Sequence, residues 1–211
     1  MDLYRMSLLK TFLTGGPIMW PILFCSIFAL AIVLEKFWHL NAIKIDTQKF
    51  LKKIFDSLSS RETKEAAKLC DKTNSPIARI LKAGILKHNQ PKSQIREAME
   101  DVSLYEIPKL ERNLTTLASI AHISPLLGLL GTVMGMVRCF QTIQMKSTTF
   151  HPVSPGDLAG GIWEALLTTV AGLVVAIPTY VLYNYLVSRV NATIIEMEKA
   201  ATELVNFLSE R

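Results

Sequence analysis

Residues 162–187 read IWEALLTTVAGLVVAIPTYVLYNYLV, an apolar run broken near its start by one glutamate and two threonines. A helix rises about 1.5 Å per residue, so about 20 mostly apolar residues cross a bilayer, and this stretch predicts a transmembrane helix. Two more runs, 18–34 and 114–137, read the same way. The first is the shortest, but Trp20 and Trp38 flank it where amphipathic rings favour the headgroup level. A cleaved signal peptide is the rival reading there, with Ala29 and Ala31 as a small-residue cleavage site. The apolar run continues through Ile32, Val33 and Leu34 and few positive charges precede it, which favours a span. Across all 211 residues, 50% are hydrophobic and 19% charged, with a mean hydropathy of +0.30. That balance belongs to a membrane protein. The expected fold is an all-α membrane protein, three transmembrane helices extended into a cytoplasmic helical bundle.

Basic residues near the helix ends set the orientation, because cytoplasmic flanks carry the excess. Ten flank one side: Lys36, Lys44, Lys49, Lys52, Lys53, Arg96, Lys109, Arg112, Arg189 and Lys199. Four flank the other: Arg5, Lys10, Arg138 and Lys146. The expected order is a periplasmic N-terminus (1–17), first span (18–38), cytoplasmic helical region (39–113), second span (114–137), short periplasmic loop (138–161), third span (162–187) and cytoplasmic helical tail (188–211). The net charge of +5 follows from this order, since 35–113 holds 16 basic and 11 acidic residues and the rest of the chain seven of each. Nucleic-acid binding would want basic residues interleaved with stacking aromatics, a pattern missing here.

Cys25, Cys70 and Cys139 form no C-x-x-C pair, and His39, His88, His122 and His151 form no i, i+4 pair, so neither a disulfide nor a metal site is expected. His122 lies within the second span near its start, where a snorkelling interfacial role is favoured. No nucleophile, base and orienting group converge at a readable spacing, so the chain does not read as an enzyme and no cofactor is implied.

The region between the first two spans reads as soluble helices. Phe50, Leu51, Ile54, Phe55 and Leu58 form one stripe, and Ser59 with Glu62 three residues on predicts a capping box opening the next helix. Pro76 breaks the chain, after which Ile77, Ile80, Leu81, Gly84 and Ile85 resume helical spacing. Ile95, Met99 and Val102 share a face of a further helix that leads toward the second span with a kink at Pro108. In the tail, Val190, Ile194, Met197, Ala201, Leu204 and Leu208 alternate spacings of four and three, a seam for another helix of this chain or of a second subunit.

Both later spans carry small residues at helical spacing. On the second these are Gly128, Gly131, Thr132 and Gly135, with Ser124 and Pro125 one turn earlier; close helix packing is the plain reading. On the third, Gly161, Glu164, Thr168, Ala171, Gly172 and Val175 lie along a similar face, while Thr169 lies about 140° round from Glu164, so the two threonines are expected to look toward different neighbours. For Glu164 two readings stand side by side: an acid on an ion path, or a carboxylate favoured by the dipole at a helix N-terminus. Asp157 reads as an interfacial or N-terminal residue.

The paired stretches SPLLGLLGTVMGMVRCF (124–140) and LAGGIWEALLTTVAGLVVAIPTYVLYN (158–184) resemble the signatures of the MotA/TolQ/ExbB proton-channel family, the ExbB and TolQ branch in particular. The resemblance covers about residues 75–190. It implies a subunit of the bacterial inner membrane that assembles as a ring, usually a pentamer, with the second and third spans around a pore. A dimer of a single-span partner of the ExbD or TolR type threads that pore and supplies an intramembrane aspartate. Proton flow then drives relative rotation, passed to TonB or TolA for work at the outer membrane. Under the resemblance Thr132 and Thr169 match pore-lining threonines and Glu164 matches the branch's glutamate, while Gly128, Gly131, Gly135 and Gly172 serve the pore helices. The flagellar branch manages without an acid at the Glu164 position. Trp163 is bulkier than the branch's usual residue, which fits an interfacial anchor. His122 and Ser124 stand where small or apolar residues are commoner, and a proton relay at His122 stays open. Three functions follow as candidates: an ExbB-like motor subunit, a TolQ-like envelope subunit, and a membrane scaffold without ion flux.

Overall fold

The computed structural model describes residues 12–60, 62–147 and 155–209. Arg5, Lys10, His151 and the Asp157 side chain, all used in the sequence reading, lie outside the described residues. The elements are α1 (Met19–Ala42), α2 (Thr47–Ser59), α3 (Thr63–Lys72), α4 (Pro76–Leu86), α5 (Lys92–Glu111), α6 (Leu114–Ser147) and α7 (Pro155–Ser209). No strand occurs among the described residues. Stretches of α1, α6 and α7 are long and apolar enough to cross a membrane.

The chain divides into two compact units, one gathering the residues up to Val33 with Thr115–Asn184, the other Leu34–Leu114 with the chain from Tyr185 onward. In the first unit the helices are apolar all round. Phe24, Ile27 and Phe28 on α1, Leu126, Leu129 and Val133 on α6, and Val170, Val174 and Ile177 on α7 are all exposed. Helices of that kind need lipid or further protein around them, because water would penalise so much apolar surface.

The second unit is built as a soluble bundle is, with each helix amphipathic. Phe50, Leu51, Ile54 and Leu58 of α2, Ala66 and Cys70 of α3 and seven residues of α4 from Pro76 to Ile85 are buried. Val190, Met197, Ala200 and Leu204 of α7 are buried with them. The tail seam is therefore occupied within the chain itself at Val190, Met197 and Leu204. At Gly84 an added Cβ would meet Met99 of α5 and Leu204 of α7, so this glycine lets three helices converge. Phe55 stacks on Phe207 with ring centroids 4.5 Å apart. Burial pushes the Cys70 thiol up to about 11.

One local expectation fails. Ser59 is the last residue of α2, and α3 starts after Glu62 with no side-chain cap. The Ser60 hydroxyl donates back to the Asp56 carbonyl, so the serine-to-glutamate spacing coincides with a helix end rather than a start. The cap that does form is Asp46, whose carboxylate accepts from the Lys49 backbone N–H at 3.2 Å and opens α2. Pro108 sits inside α5, which continues to Glu111. A helix break falls at Arg112–Asn113, where Asn113 adopts φ 65°, a left-handed conformation that asparagine tolerates better than most residues. The second span's helix thus begins afresh at Leu114. The end of α1 holds this break: Asn113 Nδ2 donates to Glu35 Oε2 at 2.8 Å, and the buried Lys36 Nζ donates to the Leu110 carbonyl at 2.8 Å. A cation at the C-terminal carbonyls of α5 also opposes the negative end of its dipole. Helix α6 continues to Ser147, beyond the apolar stretch that ends at Val137, and α7 runs for 55 residues through both the third apolar stretch and the tail.

Glu106 is the buried acid of the second unit, 5% exposed and paired with Arg79 of α4 at 2.6 Å and with Lys109 at 2.8 Å. Burial by itself would raise its pKa. The hydrogen bonds and charges of Arg79 and Lys109 outweigh burial and hold the carboxyl below its usual value. A carboxylate with a lowered folded-state pKa stabilises fully above its unfolded value and loses that stabilisation as the pH falls through the lowered one. The Glu106 contribution is therefore complete above about pH 5 and fades on acidification below the ordinary glutamate range. Because both cations are partly solvated, Glu106→Gln should cost about 2 kcal/mol at neutral pH and flatten the acid limb of the stability curve. Urea unfolding at a series of pH values checks this; equal slopes for parent and variant would show that the triad contributes nothing.

Candidate functional site

Helices α6 and α7 form an antiparallel pair whose contact face lacks side chains on much of its length. A Cβ added at Gly128 would lie 3.0 Å from the Thr168 carbonyl oxygen and the Thr169 Cα. At Gly135 it would lie 2.7 Å from the Gly161 carbonyl oxygen, and at Gly172 2.6 Å from the Ser124 carbonyl oxygen. At Gly131 it would run into the Thr168 side chain. The backbones therefore touch, which small residues permit and any larger residue prevents. Ser124 is fully buried and donates to Ile120 O at 2.7 Å, within its own helix.

The threonines sit on this contact. Thr168, 1% exposed, donates to Ala165 O at 2.8 Å and leans toward Gly128 O at 3.5 Å. Thr169 donates to the same Gly128 carbonyl at 3.2 Å. The expectation that the two threonines look toward different neighbours is thus corrected. With no Cβ at Gly128, α6 comes close enough that side chains 100° apart on α7 reach one carbonyl from either side. Thr132 is turned onto its own helix, donating to Leu129 O at 2.6 Å. In each case the hydroxyl proton is committed to a backbone carbonyl, and the oxygen keeps lone pairs to accept with.

Glu164 does not stand alone. Its Oε1 accepts from Arg138 Nη1 across the α6–α7 pair; the carboxylate side chain is 19% exposed and the guanidinium 41%. The turn preceding α1 closes over them, since Gly16 has φ +73° and a Cβ there would strike Glu164 Oε1. Only glycine meets both demands at that position. Arg138 was counted in the sequence only as a flanking charge. The signal that finds it is register: in an antiparallel pair, Arg138 and Glu164 stand at matching distances from the end of α6 and the start of α7. The His122 ring packs edge-on to Tyr180 with centroids 6.2 Å apart, and Trp163 is 38% exposed. Among the described residues no three His, Cys, Asp or Glu side chains gather as a metal site.

Residues 72–199, which include all of α6 and most of α7, match the MotA/TolQ/ExbB proton channel family. The chain belongs to that family. Among its relatives, a Synechocystis sp. protein called ExbB-like 3 is 34% identical over 172 residues, 82% of this chain and 81% of that one. An ExbB homolog of Methanothermobacter thermautotrophicus is 30% identical over 193 residues, 91% of this chain and 67% of the other. The Tol-Pal system protein TolQ of Haemophilus influenzae is 40% identical over 106 residues, 48% of this chain and 44% of TolQ. As a member of this family, the chain is a subunit of proton-channel type, and its three apolar helices agree with a membrane protein.

The glycine face makes a graded prediction. Gly128→Val and Gly172→Val drive a side chain into backbone and should destabilise by about 1–3 kcal/mol or more. Gly160→Ala, which meets nothing within 4 Å, should be neutral or stabilise by about 0.5–1 kcal/mol through helix propensity. Thermal unfolding in mild detergent, followed by circular dichroism, separates the two classes.

Proposed function

We propose that the chain is the ring-forming subunit of an ExbB-type motor in the bacterial inner membrane, which turns proton-motive force into mechanical work on a TonB-type protein. The observation that carries this reading is that the family match spans the paired helices α6 and α7, which bear Thr132, Thr169 and Glu164. In this reading several copies, five in the usual arrangement, place α6 and α7 around a pore. The N-terminus faces the periplasm and the tail of α7 the cytoplasm. The exposed apolar surface of α1, α6 and α7 is covered by lipid and neighbouring copies.

The partner is a single-span protein of ExbD or TolR type with an aspartate at membrane depth. Thr132 and Thr169 meet that aspartate in its two states. As they stand, their oxygens can accept a hydrogen bond from the protonated acid. To donate to the ionised form, each hydroxyl must rotate away from its backbone carbonyl. That rotation is small and leaves the helices in place, which suits a site that must treat both protonation states alike. Glu164 supplies the acid at the end of this face.

A TolQ-like role in envelope maintenance is the second reading, favoured by the 40% identity to TolQ over the matched segment. The ExbB-like relatives cover far more of the chain, which supports preferring the ExbB reading. A non-conducting scaffold is the third.

Gentle extraction from the native membrane with intact mass measurement tests the assembly. A ring of this chain enclosing a small one-span protein with an intramembrane aspartate is expected, and the identity of a copurifying TonB or TolA protein chooses the branch. In proteoliposomes holding that complex, Thr169→Val and Thr132→Val should each lower proton flux about tenfold or more, the scale of losing a proton-relaying group. Unchanged flux in both, with normal assembly, would leave the scaffold reading.

A further inference from the structure

We propose that Arg138 is the fixed counter-charge of Glu164, and that the pair rather than the free carboxylate is the unit that works in proton-driven motion. This rests on the motor reading above and assigns Glu164 its role within it. The acid is then a tethered anion that sets the geometry where α6 and α7 end, and Arg138 is the positioning residue that holds it there.

Four observations converge. Between Leu114 and Met145, Arg138 is the only Asp, Glu, Lys or Arg on α6, and between Leu158 and Ser188, Glu164 is the only one on α7. Two lone opposite charges on neighbouring apolar helices meet each other and no other charged group among the described residues. Their register is fixed on one side by Gly135 against Gly161 and Ala165, and on the other by Cys139 Sγ, which donates to Leu158 O at 3.4 Å. The Gly15–Gly16 turn packs on the pair, with Gly15 facing Met19 and Leu167 and Gly16 facing Glu164 and Arg138. Finally, the guanidinium cannot shed its charge, so any proton taken up by Glu164 would leave an uncompensated cation beside it. Proton carriage by Glu164 thus works against its own partner, while the threonine hydroxyls on the same helix pair carry no such penalty.

The experiment is a charge cycle in the intact motor complex, read as proton-driven flux together with oligomer mass. Glu164→Gln and Arg138→Gln each strand one charge and should lower flux about tenfold or more. The double variant Arg138→Gln/Glu164→Gln strands none, and its two amides can hydrogen-bond; flux should return to within about threefold of the parent, the coupling that contacting residues show in such cycles. A proton carrier cannot be rescued by removing its neighbour, so an assembled double variant as inactive as Glu164→Gln overturns the proposal. A fully active Arg138→Gln alone overturns it too. If the double neutral variant does not assemble, the exchanged pair Arg138→Glu/Glu164→Arg decides, activity supporting the proposal and inactivity in an assembled ring sinking it. Failure of the motor reading is separately visible, as a parent complex without flux or a Thr169→Val variant indistinguishable from it.

Discussion

Backbone contact between α6 and α7 is the constraint on which the first unit depends. Gly128, Gly131 and Gly135 remove the side chains that would hold the helices apart, and everything of chemical interest follows from the resulting distance. Two threonines reach one carbonyl because that carbonyl is close. An arginine and a glutamate, each alone on its helix, find each other because the glycines fix which turn faces which. In a membrane, water offers no hydrophobic drive to push helices together, so such contacts rest on shape and on a few polar links. A serine or alanine in place of one glycine would shift several of these relations together.

The second unit obeys the ordinary physics of a soluble bundle. Its apolar faces are narrow and its polar links lie where helices end or cross: Asp46 at the start of α2, Lys36 at the end of α5, Glu106 between α4 and α5. The same chain thus carries two solvent regimes. Helix α7 belongs to both, apolar all round as far as Tyr180 and Val181 and amphipathic from Leu186 onward. Its change of character from one residue to the next follows its surroundings, and no break in the helix is needed.

Much of this was legible beforehand. Hydropathy placed the start of the second apolar helix at Leu114, where α6 begins, and Pro76 announced α4. Small residues at helical spacing marked the α6–α7 face. Most of what could not be read depends on partners distant in sequence. The capping pattern at Ser59 and Glu62 was misleading because a local motif does not say whether the preceding helix has finished. The break at Asn113, whose left-handed backbone is held by Glu35, had no local signal. Thr168 and Thr169 looked divergent on a lone helical wheel and converge only once Gly128 is opposite. Arg138 carried no motif at all, and only the pairing of two helices gives it meaning.

The clasp at the end of α1 has a consequence in time. Lys36 and the Leu110 carbonyl are 74 positions apart, and synthesis runs from the N-terminus. While the chain is being made, Lys36 waits for its acceptor until the whole of α2 to α5 has emerged. A chain interrupted before Leu110 carries an ammonium group whose sheltered place has no oxygen in it. Such a fragment leaves the Lys36 ammonium without the carbonyl that accepts from it in the finished fold.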